Sequence, residues 1–144
     1  MRVILDTNIG ISYLLARNEA STIVQLVNAC MAPDHVLIMP PELVQELRAS
    51  VAKHSYLRTH IVPEQVEALL QEIGQIAEHP ESLLTELGHY VRDPKDDYLI
   101  AYGLIYQADY LVTGDLDLLA LASVEHLQIV RPVDMQRILD QRSL

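Results

Sequence analysis

Two short apolar runs, Val3-Ile4-Leu5 and Tyr110-Leu111-Val112-Thr113, each stop at an acid and hand over to a helix-like pattern. The first ends at Asp6, the second at Asp115 after Gly114. A strand covered on both faces reads as a continuous apolar run dense in β-branched residues, which is the mark of a buried parallel sheet. The runs Val36-Leu37-Ile38-Met39 and 127–130 have the same character. Helical periodicity fills the intervals: residues 8–16, 20–31, a stretch opened by Pro40-Pro41, 63–77, 93–107, 116–122, and a terminal amphipathic helix from Pro132. Residues 81–91 are ambiguous, with room for a short strand through Leu83-Leu84. Strands alternating with helices predict a three-layer α/β/α sandwich with a mainly parallel central sheet, one domain over residues 1–144. Ligand sites in such sheets gather beyond the carboxyl ends of the strands, so Asp6 and Asp115 mark a candidate site by topology alone.

Half of the residues are apolar, which supplies a core and argues against disorder. No apolar run approaches the ~20 residues a membrane span needs, and no secretory leader is expected. A single cysteine, Cys30, makes a reduced, cytoplasmic setting the expectation. The net charge of −10 points away from a general polyanion binder, which usually carries a basic footprint. Either the partner is not a polyanion, or the acids sit where cations neutralise them. One stretch inverts the balance. Between Arg48 and Ile61 the chain carries Arg48, Lys53, His54, Arg58 and His60 and no acid. It is the candidate anion-binding surface, although basic residues facing a helix C-terminus account for it equally well.

Several chemistries are excluded by what the chain lacks. No glycine-rich phosphate loop follows the first strand, the histidines show no zinc-ligand spacing, and Ser12, Ser21, Ser50 and Ser55 stand in no nucleophile-elbow context. Carboxylates remain: Asp6, Glu46, Asp93, Asp96, Asp97, Asp115 and Asp117. Each has a bland use. Asp6 fits a helix cap, Asp115 and Asp117 fit a turn after Gly114, and Asp93-Pro94-Lys95-Asp96 is helix-start chemistry. At 100° per residue Glu46 lies at the edge of the stripe formed by Leu43, Val44, Leu47 and Val51, with Glu42 farther toward solvent. Their common placement is what points to chemistry. Strand ends and following helix starts converge on one edge, and oxygen-only ligands of high charge density suit Mg²⁺ or Mn²⁺. Such ions polarise phosphoryl groups and activate water.

The motifs Leu5-Asp6-Thr7-Asn8, Glu42-Leu43-Val44-Gln45-Glu46-Leu47, Asp93-Pro94-Lys95-Asp96-Asp97 with Ile100-Ala101, and residues 108–119 around Val112-Thr113-Gly114-Asp115-Leu116-Asp117 together resemble a PIN domain. The likeness is greatest to the toxin group within that family, relatives of the VapC toxins of toxin–antitoxin pairs. The resemblance implies a metal-dependent endoribonuclease with catalytic acids Asp6, Glu46, Asp97 and Asp115. Asp6, Asp97 and Asp115 would be ligands for Mg²⁺ or Mn²⁺, with Asn8, Asp96, Thr113 and Asp117 as accessory residues. Pro41-Glu42 stands where the family often has a serine before the Glu-bearing helix, so the choice between Glu42 and Glu46 rests on spacing. The paired acids leave Asp96 and Asp97 both open as the third. The resemblance further implies an RNA substrate, a cognate antitoxin and a homodimer, with Arg48, Lys53 and Arg58 as candidate guides for the RNA backbone. The alternative is a catalytically silent PIN-fold module that binds RNA or protein. A two-aspartate phosphatase needs a second Asp at the position of Asn8.

Overall fold

The computed structural model describes residues 1–16, 18, 20–82 and 94–142, with backbone alone for 94–97. Among the described residues, five strands form one sheet: β1 (Arg2–Leu5), β2 (Val36–Leu37), β3 (Tyr110–Val112), β4 (Ser123–Val124) and β5 (Leu127–Val130). Their order is β2-β1-β3-β5-β4. Every pairing is parallel except the edge hairpin β4–β5. The helices are α1 (Thr7–Leu15), α2 (Thr22–Cys30), α3 (Pro41–Lys53), α4 (Ser55–His60), α5 (Pro63–Gly74), α6 (Pro94–Ile105), α7 (Leu116–Leu119) and α8 (Pro132–Arg142).

The pleat distributes the apolar runs to both faces, as a period of two requires. Val3 and Val112 point into a core shared with Ile9, Leu26, Leu47, Val51, Leu69 and Met135, from α1, α2, α3, α5 and α8. Their neighbours Ile4 and Leu111, with Ile129, point the other way, against Tyr98, Leu99, Ala101, Tyr102 and Leu118 of α6 and α7. Val3, Ile4, Leu111 and Val112 are fully buried. Burial of each such side chain is worth about 1.5–3 kcal/mol, which is why these runs could not lie on a one-sided sheet. The result is the expected α/β/α sandwich.

Three boundaries differ from the expectation. Pairing in β2 covers Val36 and Leu37, and Ile38 makes a single parallel bridge to Glu78 instead of extending the strand. The helix from Pro63 stops at Gly74, which frees Glu78 for that bridge. The helix near 116–122 ends at Leu119, and the chain enters β4 through Ala122 (φ 60°) and leaves it for β5 through Glu125 (φ 52°). Neither is glycine, so the turn carries none of the usual sequence marks. The strand considered through Leu83-Leu84 lies outside the described residues.

One close approach fixes α6 over the sheet. A Cβ on Gly103 would meet Leu127 Cδ2 at 2.8 Å. Glycine there lets α6 lie against β5, and the seating of α6 decides where Tyr98 falls.

Candidate functional site

Asp6 is the first residue past β1. Its backbone N–H donates to Val112 O at 2.9 Å, which continues the ladder with β3, and its carbonyl accepts from Ile9 N, which starts α1. The side chain is clamped on both oxygens. Oδ1 accepts from Thr7 N at 2.6 Å as the helix cap, and Oδ2 accepts from the Thr113 hydroxyl at 2.6 Å. Capping is thus one of two jobs. A carboxylate has about four lone-pair sites, so two protein donors leave acceptor capacity on each oxygen. Asp6 is only 8% exposed.

Thr113, fully buried, connects the two strand ends. Its hydroxyl donates to Asp6 and accepts from Asp115 N at 3.0 Å. Its own N–H is held by Val130 O of β5. The spacing between Asp6 and the Asp115 backbone is therefore set by one side chain whose rotamer is locked by packing. Asp115 is half-buried and caps α7, its Oδ1 accepting from Asp117 N at 2.9 Å. Asn8 and Asp117 lie exposed at the rim.

The second acid arrives from α3. Glu46 Oε2 accepts from the Tyr98 hydroxyl of α6 at 2.5 Å, and one helical turn away Glu42 Oε2 accepts from the Tyr102 hydroxyl at 2.5 Å. Residues spaced i, i+4 share a helix face, so the two pairs form rungs between α3 and α6. Glu42, which also accepts from Ser82 Oγ, is half-buried and Glu46 is exposed. That is the reverse of the order estimated from the α3 stripe alone, because the wheel takes no account of α6. It is Glu46 that faces Asp6, and Asp6, Asn8, Glu46, Tyr98, Leu99, Asp115 and Leu118 line one cleft. Tyr98 was absent from the sequence candidates. The signal was present as Tyr98/Tyr102 at i, i+4 mirroring Glu42/Glu46, but it points to a site only once the two helices are known to face each other.

The electrostatics of the cleft are one-sided. Burial pushes the Asp6 carboxyl above the ordinary carboxylate range. The Thr113 and Thr7 hydrogen bonds oppose that rise, and the negative charges of Glu46 and Asp115 add to it. Burial and the bond to Glu46 likewise push the Tyr98 phenol up, so it acts as a donor. Among the described residues, every side chain lining the cleft with a formal charge is an acid.

Asp96 and Asp97 begin α6, which places their backbone at the helix start that precedes Tyr98. Their side chains lie outside the described residues, as does Asp93. Among the described residues no three His, Cys, Asp or Glu side chains are grouped closely enough to hold a metal ion. The donors that do converge fit a hard divalent cation by type: they are all oxygen, one is buried, and their mutual repulsion is what a cation would relieve. Of the basic candidates, Arg48 is engaged by Glu67 at 2.7 and 2.9 Å, while Lys53 and Arg58 stand exposed on α3 and α4.

The mainly parallel α/β/α sheet thus gathers acids from two neighbouring strand ends and a facing helix at one edge. The PIN domain family model matches residues 2–117, and the chain belongs to that family, whose members are nucleases in general. The matched span covers Asp6, Glu46, the Asp96-Asp97 pair, Thr113, Asp115 and Asp117. No curated protein and no solved structure matches the chain.

Proposed function

We propose that the protein is a metal-dependent endoribonuclease that hydrolyses RNA phosphodiester bonds, the toxin of a toxin–antitoxin pair. The observation that carries the reading is the Thr113 bridge, which holds a buried Asp6 beside Asp115 at the strand ends, with Glu46 turned to the same cleft. Asp6, Asp97 and Asp115 would hold Mg²⁺ or Mn²⁺. When bound, such an ion supplies Lewis-acid polarisation of the phosphoryl group and a nucleophilic water at neutral pH. The chain's own part is positioning. Thr113 fixes the rotamer of Asp6, Asp117 N–H orients Asp115, and the Tyr98 hydroxyl holds one oxygen of Glu46 while the other stays free to accept a proton from an attacking water. Preorganised groups of this sort cost no reorganisation as charge develops on the phosphoryl oxygens. Asn8 and Asp117 at the rim, with Lys53 and Arg58 beyond, would meet the strand.

The toxin assignment, a cognate antitoxin, a homodimer and a cytoplasmic setting are supported by the likeness of the four motifs. No helix among the described residues is long and apolar enough to cross a membrane. The alternative is a catalytically silent RNA- or protein-binding module of the same fold. Digestion of a mixed RNA pool in EDTA, Mg²⁺ or Mn²⁺, wild type beside Asp6→Asn, separates the two. Cleavage by the wild type that needs the metal and vanishes in Asp6→Asn supports the nuclease. RNA left intact by wild type in both metals supports the silent module, and cutting by Asp6→Asn at the wild-type rate removes the mechanism.

A further inference from the structure

We propose that α4 is a base-stacking surface for single-stranded RNA, where the paired rings of Tyr56 and His60 receive a base and Lys53, at the end of α3, meets the backbone beside it. The proposal rests on the ribonuclease reading above and extends it to a substrate-binding subsite. The two rings are stacked, with centroids 4.2 Å apart and planes inclined by 30°. His60 Nδ1 lies 2.8 Å from Tyr56 O. A carbonyl only accepts, so Nδ1 is the donor and the imidazole is fixed to the helix. Tyr56 is 62% exposed, whereas Leu57 alone of α4 is buried. The helix is thus anchored by one residue and presents a rigid aromatic pair to solvent. An exposed ring held flat is suited to a base, because every base has a π-face and stacking tolerates sequence.

Charge selects the partner. From Arg48 to Ile61 there is no acid in a chain of net charge −10, so this is the segment from which a phosphate backbone is least repelled. Glu67 occupies Arg48, and Arg58, two residues from each ring, lies on the other face of α4 with that pair, which leaves Lys53 as the cation at the α3–α4 junction. Position agrees. The helix α4 packs against α3, and the part of α3 from Glu46 to Lys53 spans about 10 Å at about 1.5 Å per residue. A strand cut beside Glu46 therefore reaches α4 within a few nucleotides.

The test uses the full chain carrying Asp6→Asn, in EDTA, with binding of a labelled single-stranded RNA of about ten nucleotides read by fluorescence anisotropy. Tyr56→Ala should weaken binding roughly tenfold, Tyr56→Phe should retain it, and an abasic strand should be indifferent to Tyr56→Ala. Lys53→Ala should weaken both strands alike and lower the salt slope by about one. If Tyr56→Ala does not fold, Tyr56→Leu, which keeps apolar bulk without the ring, makes the same comparison. The proposal is overturned if the folded variant binds the base-bearing strand as the parent does, or loses equal affinity for the abasic strand. A change from dimer to monomer by size-exclusion with RNA affinity intact would assign the face to a second copy and overturn it as well. A parent that binds neither strand sinks this surface, while the ribonuclease reading is decided separately by wild-type cleavage in Mg²⁺. Wild type that cuts RNA in Mg²⁺ beside a Tyr56→Ala without effect sinks the surface alone.

Discussion

The strand β1 carries a charge at each end, and the two ends treat it in opposite ways. At the start, Arg2 donates to Glu78 at 2.9 and 3.0 Å and to Tyr106 O at 2.8 and 3.0 Å, while its backbone N–H donates to Asp109. That cation has an anion, and the cluster ties β1 to the C-terminus of α6 and to the segment beyond α5. Past the other end, the donors to Asp6 among the described residues are neutral, the Thr7 N–H and the Thr113 hydroxyl, and it faces two more acids across the cleft. The first arrangement is complete without a ligand. The second leaves negative charge uncompensated in a buried place, which a fold tolerates only at a cost to its own stability. The difference separates an end whose charges are matched from one where a cation would relieve repulsion.

The contrast is broken most severely at Asp6. Asp6→Asn should lower metal-dependent cleavage at least a hundredfold, a loss typical of removing one preorganised charge-stabilising group. The same change should stabilise the metal-free protein. The folded Asp6 carboxyl is raised above its unfolded value of about 3.9, so its contribution to stability is fully present below that value and is lost as pH rises through the folded one. Wild type in EDTA should therefore lose melting temperature over that window, and Asp6→Asn should flatten the curve. A wild type whose melting profile matches that of Asp6→Asn across the acid limb contradicts the picture of a strained acid edge. Metal acts next. At a hundred times its dissociation constant Mg²⁺ or Mn²⁺ should stabilise the wild type by about 2.7 kcal/mol, seen by scanning calorimetry, and Asp115→Asn should blunt the response.

A smaller effect, on the order of tenfold in activity, is expected for Tyr98→Phe, because Glu46 keeps its place on α3 but loses the donor that orients it. Tyr102→Phe breaks the same kind of bond at Glu42, outside the residues that line the cleft, and should leave kcat near wild type. Each loss of a phenol hydroxyl should cost about 1 kcal/mol of stability, so equal melting temperatures with unequal kcat would isolate the positioning role. The pair also shows where sequence reasoning stops. Asp6 and Asp115 were legible because a strand end is encoded locally, by an apolar run and the residue that halts it. Glu46 was legible as a spacing, but its exposure relative to Glu42 was not, since that depends on a helix about fifty residues away. Tyr98 and the β4 hairpin were invisible for related reasons. The first acquires meaning from the packing of α6 on α3, and the second turns at Ala122 and Glu125 without a glycine to announce it. The Asp96-Asp97 choice is a matter of side chains at the start of α6, where helix-start chemistry and ligand chemistry use the same residue types.

The end of β1 that is complete gives the smallest effect on activity and the sharpest control. Arg2→Met keeps the aliphatic stem against the sheet and removes the guanidinium. Glu78 then loses its cation and Tyr106 O two donors, and α6 is no longer tied at its C-terminus to β1. A bond to a charged group is worth about 1.5–3 kcal/mol where water is excluded. The Arg2 and Glu78 side chains are 33% and 38% exposed, however, so screening reduces the expected loss to about 1–2 kcal/mol. Denaturant unfolding should show that loss as a lower midpoint with an unchanged slope. Activity per folded molecule should hold, since Thr113, Asp6 and Asp115 are fixed by β3 and β5. The ends of β1 are then separable: one carries stability without chemistry, the other chemistry at the expense of stability. If Arg2→Met instead lowered kcat as far as Tyr98→Phe does, the seating of α6 would be transmitted to Glu46, and both ends of the strand would belong to one mechanical unit.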